Sequence, residues 1–70
     1  MKYRGILTPR EREIASLVAT GASNKEIARQ LTISDKTVRN ILTKVFAKTK
    51  SRSRTELAVQ LITSELRAGM

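Results

Sequence analysis

The side chains best suited to polar chemistry fall in one short stretch, SDKTVRN, which occupies residues 34–40. Val38 is its only apolar residue, and the other six side chains carry hydroxyl, carboxylate, ammonium, guanidinium or amide groups with a net positive charge. Cationic donors form strong, charge-assisted hydrogen bonds with anionic oxygens. The stretch therefore predicts contact with an anionic partner rather than a place inside the protein.

Positive charge extends well beyond this stretch. Residues 36–55 contain no Asp or Glu but hold seven of the chain's 14 basic residues, and the whole 70-residue chain has a formal net charge of +8. This balance favours a nucleic acid or an acidic membrane surface as the partner, with solubility alone as the simpler alternative. No apolar run approaches the roughly 18 residues of a membrane span. The start MKYRGIL is too short and too broken for a secretion signal.

The sequence contains few side chains that could act in catalysis or bind a metal ion. Cys and His are both absent, which removes disulfides, thiolate and imidazole catalysis and the usual zinc sites, so no metal or other cofactor is expected. Glu11, Glu13 and Glu26 are the obvious carboxylates, but each has a capping or pairing role. For Glu13 we expect Arg29 as the partner. A domain of this size also lacks room for a deep cleft, so no enzyme is predicted.

Four helix starts position the polar stretch. Thr8, Ser23 and Ser53 each precede a glutamate by three residues, the spacing of a capping box, and Ser34 caps one further helix. Apolar residues at helical spacing follow each start. The sequence predicts an all-α fold in one domain over residues 1–70, with an ordered core at about 7–67. The four helices are expected at about 9–20, in a short segment after Ser23, at about 35–49 and at about 54–67.

The turn between the second and third helices is very short. Only Thr32 and Ile33 separate the second helix from the Ser34 cap, so these two helices must cross steeply. Apolar residues fall where the helices would pack, with a small residue at the crossing: Ile27, Ala28, Leu31, Ile33, Val38 and Ile41. A helix-turn-helix has this arrangement, and its second helix projects a polar face into the DNA major groove. A plain four-helix bundle with a solvated third helix is the alternative.

The chain resembles the LuxR/FixJ-type (GerE-like) helix-turn-helix family over about residues 7–66. The segments that carry the resemblance are LTPRERE at 7–13, GASNKEIA at 21–28, Leu31, Ile33-Ser34, KTVR at 36–39 and Ser53-Arg54. The resemblance implies a bacterial, cytoplasmic and nucleoid-associated transcription regulator that binds double-stranded DNA. It also implies that the third helix is the recognition helix, that the fourth mediates a homodimer, and that RNA polymerase is a candidate partner.

Three departures from the family pattern fall in or after the third helix. Ile41 stands where His is frequent, Thr49 where Leu commonly packs, and Lys50-Ser51-Arg52 replaces a link that usually contains Gly. Ile41 either packs at the edge of the core or touches a thymine methyl group. Thr49 is expected to loosen the end of the third helix.

A helical wheel at about 100° per residue places Lys36, Asn40, Thr43 and Lys44 on the side of the third helix opposite its apolar residues, with Arg39 on the flank. The wheel and the family resemblance together imply one base-contacting set, which we call the groove face: Lys36, Arg39, Asn40, Thr43 and Lys44. Arg39 suits guanine and Asn40 suits adenine, with a phosphate contact as the alternative for each. A second set is expected to contact phosphates: Ser23, Asn24, Lys25, Thr37, Lys48, Lys50, Arg52 and Arg54. A solvated linker is the alternative for the last four, and Arg54 could instead pair with Glu56 or another acid.

The fourth helix carries both core and surface apolar residues. Leu57, Leu61 and Leu66 are expected to complete the core. Val59, Ile62 and the outer side of Leu66 form a candidate self-complementary patch for a homodimer. The alternative is that all of them pack internally, because so small a core needs every apolar residue.

Three other functions compete with gene regulation by DNA binding. A sigma-factor region that contacts promoter DNA and polymerase shares the TPRERE start, although the Ser53-Arg54 start of the fourth helix argues against it. A protein-interaction module would use the fourth helix instead. An RNA-binding module is weakened by the presence of only two aromatic residues, Tyr3 and Phe46, because RNA readers stack bases on such side chains.

Overall fold

The computed structural model describes the backbone of residues 6–68 and the side chains of residues 6–63. The described residues contain no strand, and their four helices are α1 (Pro9–Ala19), α2 (Asn24–Leu31), α3 (Asp35–Thr49) and α4 (Arg54–Ala68). The predicted all-α, four-helix fold is confirmed, and each predicted boundary lies within one residue of the observed one. None of the described helices combines the length and apolarity needed to cross a bilayer.

Hydroxyl caps begin the first three helices as the sequence predicts. Thr8 accepts from the Glu11 N–H, and the Glu11 carboxylate accepts in return from the Thr8 N–H. Ser23 and Glu26 repeat this reciprocal pair at α2. Ser34 accepts from the Thr37 N–H at 3.1 Å and starts α3. Each cap satisfies N–H groups that have no partner within the helix.

The start of α4 differs from the predicted capping box. Ser53 Oγ does accept from the Glu56 N–H at 3.1 Å, so the cap itself is confirmed. The Glu56 carboxylate, however, accepts from the Arg52 N–H at 3.3 Å and not from the Ser53 N–H. The hydrogen bond back to the Glu56 carboxylate therefore comes from a residue one position earlier than expected, and it joins the segment between α3 and α4 to the first turn of α4.

Helices α1, α2 and α3 all end with a residue in the left-handed backbone conformation. Gly21, Thr32 and Lys50 adopt positive φ angles of 92°, 57° and 56°. After each of them, the next N–H reaches back five residues to a helix carbonyl, at 3.2, 3.0 and 3.1 Å respectively. These closures are typical of a helix that ends in a left-handed residue, where glycine is favoured. Only the first of the three is a glycine, so the turns after α2 and α3 store strain.

The core lies where α1 packs against α4 and α3, while α2 packs mainly against α3. Its largest fully buried side chains come from all four helices: Ile14, Ile27, Val38, Val45 and Leu57. Ala28 is buried, as expected for a small residue where α2 meets α3. Leu61 is also buried, which confirms its predicted place, whereas the Leu66 side chain lies outside the described residues.

Two of the departures from the family pattern are accommodated without disorder. Ile41 is half-buried and packs against the core, as one of its two interpretations predicts. Thr49 is buried, and its hydroxyl donates to the Val45 carbonyl at 2.9 Å and lies 2.8 Å from Ser51 Oγ. Since α3 stays helical through Thr49, the expected loosening is not seen.

Candidate nucleic-acid interface

The groove face of α3 is open to solvent along its whole length. All five of its members are exposed: Lys36, Arg39, Asn40, Thr43 and Lys44. Within residues 34–40 only Val38 points inward, and it is fully buried. The predicted orientation of the helix is therefore confirmed, while contact of these side chains with bases stays a prediction.

The two exposed hydroxyls of α3 already have partners within the protein. Thr43 Oγ1 donates to the Arg39 carbonyl at 3.0 Å, so its single proton is used and its methyl group and lone pairs are left for a partner. Thr37 Oγ1 lies 2.9 Å from Ser34 Oγ, which also holds the Thr37 N–H. Thr37 is exposed and adjoins the positive end of the helix dipole, a position suited to a phosphate.

The start of α2 presents a second polar surface. Ser23 and Lys25 are exposed, and Asn24 is half-buried. The Glu26 carboxylate beside them accepts from the Ser23 backbone N–H at 2.8 Å. This hydrogen bond, and then the Ser23 hydroxyl, holds the pKa of Glu26 below its usual range. Glu26 thus stays ionised as part of the cap, and the cationic and amide groups nearby remain available to an anion.

Among the described side chains Arg54 pairs with neutral acceptors, not with Glu56 or another acid as one alternative predicts. Its Nη1 donates to Asn24 Oδ1 at 2.6 Å, and its Nη2 donates to the Ala22 carbonyl at 2.7 Å. Both acceptors are neutral and lie about 30 residues earlier in the chain. The side chain reaches from the first residue of α4 to the first turn of α2, so it is a tertiary link and not a free cation of the linker.

Lys48 is likewise engaged inside the protein. Its Nζ lies 2.7 Å from Glu11 Oε1, the same oxygen that accepts from the Thr8 N–H. The Glu11 side chain is only 8% exposed, whereas that of Lys48 is 36% exposed. The pair joins the start of α1 to the end of α3, and it gives Lys48 a structural partner that the predicted phosphate contact did not anticipate.

The environment of Glu11 favours its charged form. The hydrogen bond from Lys48 lowers the pKa of Glu11 most, the Thr8 backbone N–H adds to this, and burial opposes it. The predicted pairing of Glu13 with a basic residue is confirmed, but the predicted partner Arg29 is wrong. Glu13 pairs with Arg10 at 2.9 Å, because residues three apart on one helix are neighbours.

Lys50 and Arg52 extend the positive surface beyond α3. Both side chains are exposed, and Lys50 occupies the left-handed position that ends the helix. A lysine there keeps a cation at the edge of the interface but strains the backbone. Lys25 and the groove face are exposed as well, so these cations are accessible to a partner, while their contact with a nucleic acid stays a prediction.

Replacing Lys50 by glycine is expected to raise the free energy of unfolding by about 1 kcal/mol, because glycine relieves the left-handed strain. Urea denaturation would measure the change. Lys44→Gly, which removes the same charge from the interior of α3, is the control and should lower stability by about 1 kcal/mol. A destabilised Lys50→Gly protein would contradict the strain argument.

The outer side of α4 carries the apolar residues assigned to a dimer. Val59 is 56% exposed and Ile62 is 46% exposed, so the alternative that both pack internally is wrong. They border a shallow, mainly apolar cleft between α4 and the end of α1, which Val18 and Ala22 also line. Leu66, the third member of the predicted patch, has a side chain outside the described residues.

Sequence reasoning missed two contacts that shape this interface. The Glu11–Lys48 and Asn24–Arg54 pairs join residues 37 and 30 positions apart, so no local spacing indicates them.

Among the described residues, no cluster of three or more acidic side chains could hold a metal ion.

Comparison with known proteins gives a consistent result. The family described as bacterial regulatory proteins, luxR family, matches residues 5–61. The monoamine regulon transcriptional regulator of Klebsiella aerogenes is 60% identical over 52 residues, which is 74% of this chain and 23% of that protein. The nitrate/nitrite response regulator protein NarL of Escherichia coli K12 is 49% identical over 53 residues, or 76% of this chain and 24% of NarL.

A third relative covers more of the chain. A putative HTH-type transcriptional regulator of Mycobacterium bovis is 46% identical over 65 residues, which is 93% of this chain but 7% of that protein. The chain therefore spans about a quarter or less of the length of these three relatives. The family predicted from the sequence is confirmed, with a match over residues 5–61 where the resemblance was expected over about 7–66.

Proposed function

Because the chain belongs to the luxR family of bacterial regulatory proteins, we propose that it binds specific double-stranded DNA sequences with α3 in the major groove. The observation that carries this proposal is the groove face, whose five residues are polar or basic and all exposed. The major groove is wide enough to admit a helix, and its base edges offer a distinct hydrogen-bonding pattern for each base pair.

The roles within the interface follow from side-chain chemistry. Arg39 is assigned to a guanine edge and Asn40 to an adenine edge, since each can form two hydrogen bonds there. Lys36, Thr43 and Lys44 complete the base-contacting set. The phosphate-contacting set is Ser23, Asn24, Lys25, Thr37, Lys50 and Arg52. Lys48 is left out because Glu11 already holds its ammonium group.

A homodimer through α4 would place two groove faces on one duplex. The exposed Val59 and Ile62 support this arrangement, since apolar side chains on a small surface gain by burial against a second copy. RNA polymerase remains a candidate partner of the DNA-bound form.

Selection of bound sequences from a random duplex pool tests this proposed function most directly. An inverted repeat with half-sites about one helical turn apart would support both specific binding and the dimer. Sizing the chain with and without the selected duplex then gives the number of subunits bound. Recovery of no preferred sequence, or binding to no duplex, would reject the proposal and favour a protein-interaction module.

Arg39→Ala and Lys25→Ala separate base contact from phosphate contact. Arg39→Ala is expected to cost about 1–3 kcal/mol on the selected duplex and much less on random DNA, because only the specific site supplies a guanine partner. Lys25→Ala is expected to weaken both duplexes by a similar factor. Fluorescence anisotropy at fixed salt measures all four affinities. Equal losses from both substitutions on both duplexes would refute these assignments.

A further inference from the structure

Arg54 links the starts of α4 and α2 through two short hydrogen bonds. One terminal nitrogen of the guanidinium donates to Asn24 Oδ1 and the other to the Ala22 carbonyl, at 2.6 and 2.7 Å. The residue is half-buried, and neither acceptor carries a charge. Because the guanidinium is planar and both of its ends are engaged, its position relative to α2 is fixed.

This contact decides which end of the Asn24 amide faces outward. A guanidinium has only donors, so it selects the amide oxygen and leaves the NH₂ group, with its two protons, on the other side. Phosphate oxygens are acceptors, and a duplex would therefore meet a donor at Asn24. The opposite amide orientation would present an oxygen to the phosphate and weaken binding.

The pair also adjoins the groove face. A shallow cleft between α2, α3 and the start of α4 is lined by Asn24, Arg39, Leu42, Thr43, Phe46 and Arg54. Arg39 and Thr43 belong to the groove face, so the Asn24 amide lies beside the surface that is proposed to read bases. A small rotation of α2 would move this amide relative to α3.

Resting on the proposed function, we propose that Arg54 is a positioning residue for DNA binding. It holds the Asn24 amide with the NH₂ group toward a phosphate and fixes the start of α2 against α4. This role replaces the direct phosphate contact assigned to Arg54 from the sequence. Since Arg54 acts through Asn24, the two residues are expected to behave as one unit.

A double-mutant cycle on the selected duplex tests this role. Arg54→Lys keeps the charge but loses the planar fork, and Asn24→Ala removes the amide. Each single variant is expected to bind about tenfold more weakly, and the double variant also about tenfold rather than a hundredfold. Arg54→Lys should leave the salt dependence unchanged, because the number of cations is the same. Arg29→Lys, at an exposed arginine of α2 outside the base- and phosphate-contacting sets, is the matched control and should bind like the parent.

Several outcomes would overturn the proposal. Arg54→Lys binding within about twofold of the parent would do so, as would losses that multiply in the double variant or a changed salt slope. Failure of the parent chain to bind any duplex would instead reject the proposed function. The two failures are therefore distinguishable.

Asn24→Asp keeps the test valid even if Arg54→Lys does not fold. The new carboxylate pairs with Arg54, so the fold should be at least as stable in thermal denaturation, but it turns an anionic oxygen toward the phosphate. Binding is expected to fall by more than tenfold. In the free protein, the Asn24 side-chain amide resonance should shift in Arg54→Lys and stay in place in Arg29→Lys. Parent-like binding by Asn24→Asp, or an amide resonance that does not move, would reject the positioning role.

Discussion

Raising the salt concentration from about 50 to about 200 mM is expected to weaken DNA binding about 500-fold for each subunit. The estimate assumes about five phosphates neutralised per subunit, each releasing a condensed counterion from the duplex. The cations that would do this are exposed in the free protein, with Lys25, Lys50 and Arg52 outside the groove face. A salt titration followed by fluorescence anisotropy gives the slope of log affinity against log salt.

Lys48 and Lys50 provide a matched pair for this measurement. Lys50→Gln should reduce the steepness of the salt dependence by about one counterion. Lys48→Gln removes the same charge two residues away, but its ammonium is held by Glu11 at 2.7 Å, so the slope should stay nearly unchanged. A salt-independent affinity would refute phosphate binding altogether. Equal changes from the two substitutions would refute the structural role of Lys48.

Replacing Glu11 by alanine is expected to lower the free energy of unfolding by about 3 kcal/mol. The substitution removes the return bond of the α1 cap and leaves the Lys48 ammonium without its partner at the end of α3. Both effects arise at a buried side chain, where lost hydrogen bonds are costly. Chemical denaturation at neutral pH measures the loss. Glu26→Ala, which breaks the same capping box at an exposed position without a lysine partner, should destabilise less.

The same carboxylate predicts a pH dependence of stability. The pKa of Glu11 is lowered in the folded protein, so at acidic pH the unfolded chain binds a proton that the folded chain does not. Its contribution is complete above the pKa of an unfolded glutamate, about 4.3, and is lost as the pH falls through the lower folded value. The stability difference between the parent and Glu11→Gln should therefore shrink below about pH 4. A difference that stays constant down to about pH 2 would contradict this linkage.

Local features of this chain could be predicted from sequence because their causes are local. Thr8 and Ser23 each cap a helix by accepting a hydrogen bond from the N–H of a glutamate three residues later. The fixed geometry of a helical turn makes this spacing sufficient to predict the cap. The direction of the groove face followed in the same way, since Val38 alone must point inward among its neighbours. Helical periodicity was thus sufficient to predict the four helices and the exposed side of α3.

The tertiary polar contacts could not be predicted, because they depend on how helices are placed in space. Arg54 was assigned to DNA or to an acid, yet it meets a neutral amide and a carbonyl at the start of α2. The sequence offers acids and phosphates as partners for this guanidinium, and only the packing of α4 against α2 selects the neutral acceptors. Glu13 is the opposite case, because its partner Arg10 lies one turn away on the same helix and the local spacing was enough to indicate it.

The burial of Val38 has a consequence for how this protein could diverge or be redesigned. Within residues 34–40, Val38 is the one side chain anchored in the interior, and Ser34 supplies the cap that starts α3. Lys36, Arg39 and Asn40 have neither role. These three positions can be randomised together without disturbing the hydrophobic packing or the cap, so a library of variants would share one scaffold yet display different surfaces. New target preferences are thus accessible by changes that leave the folding of the chain intact.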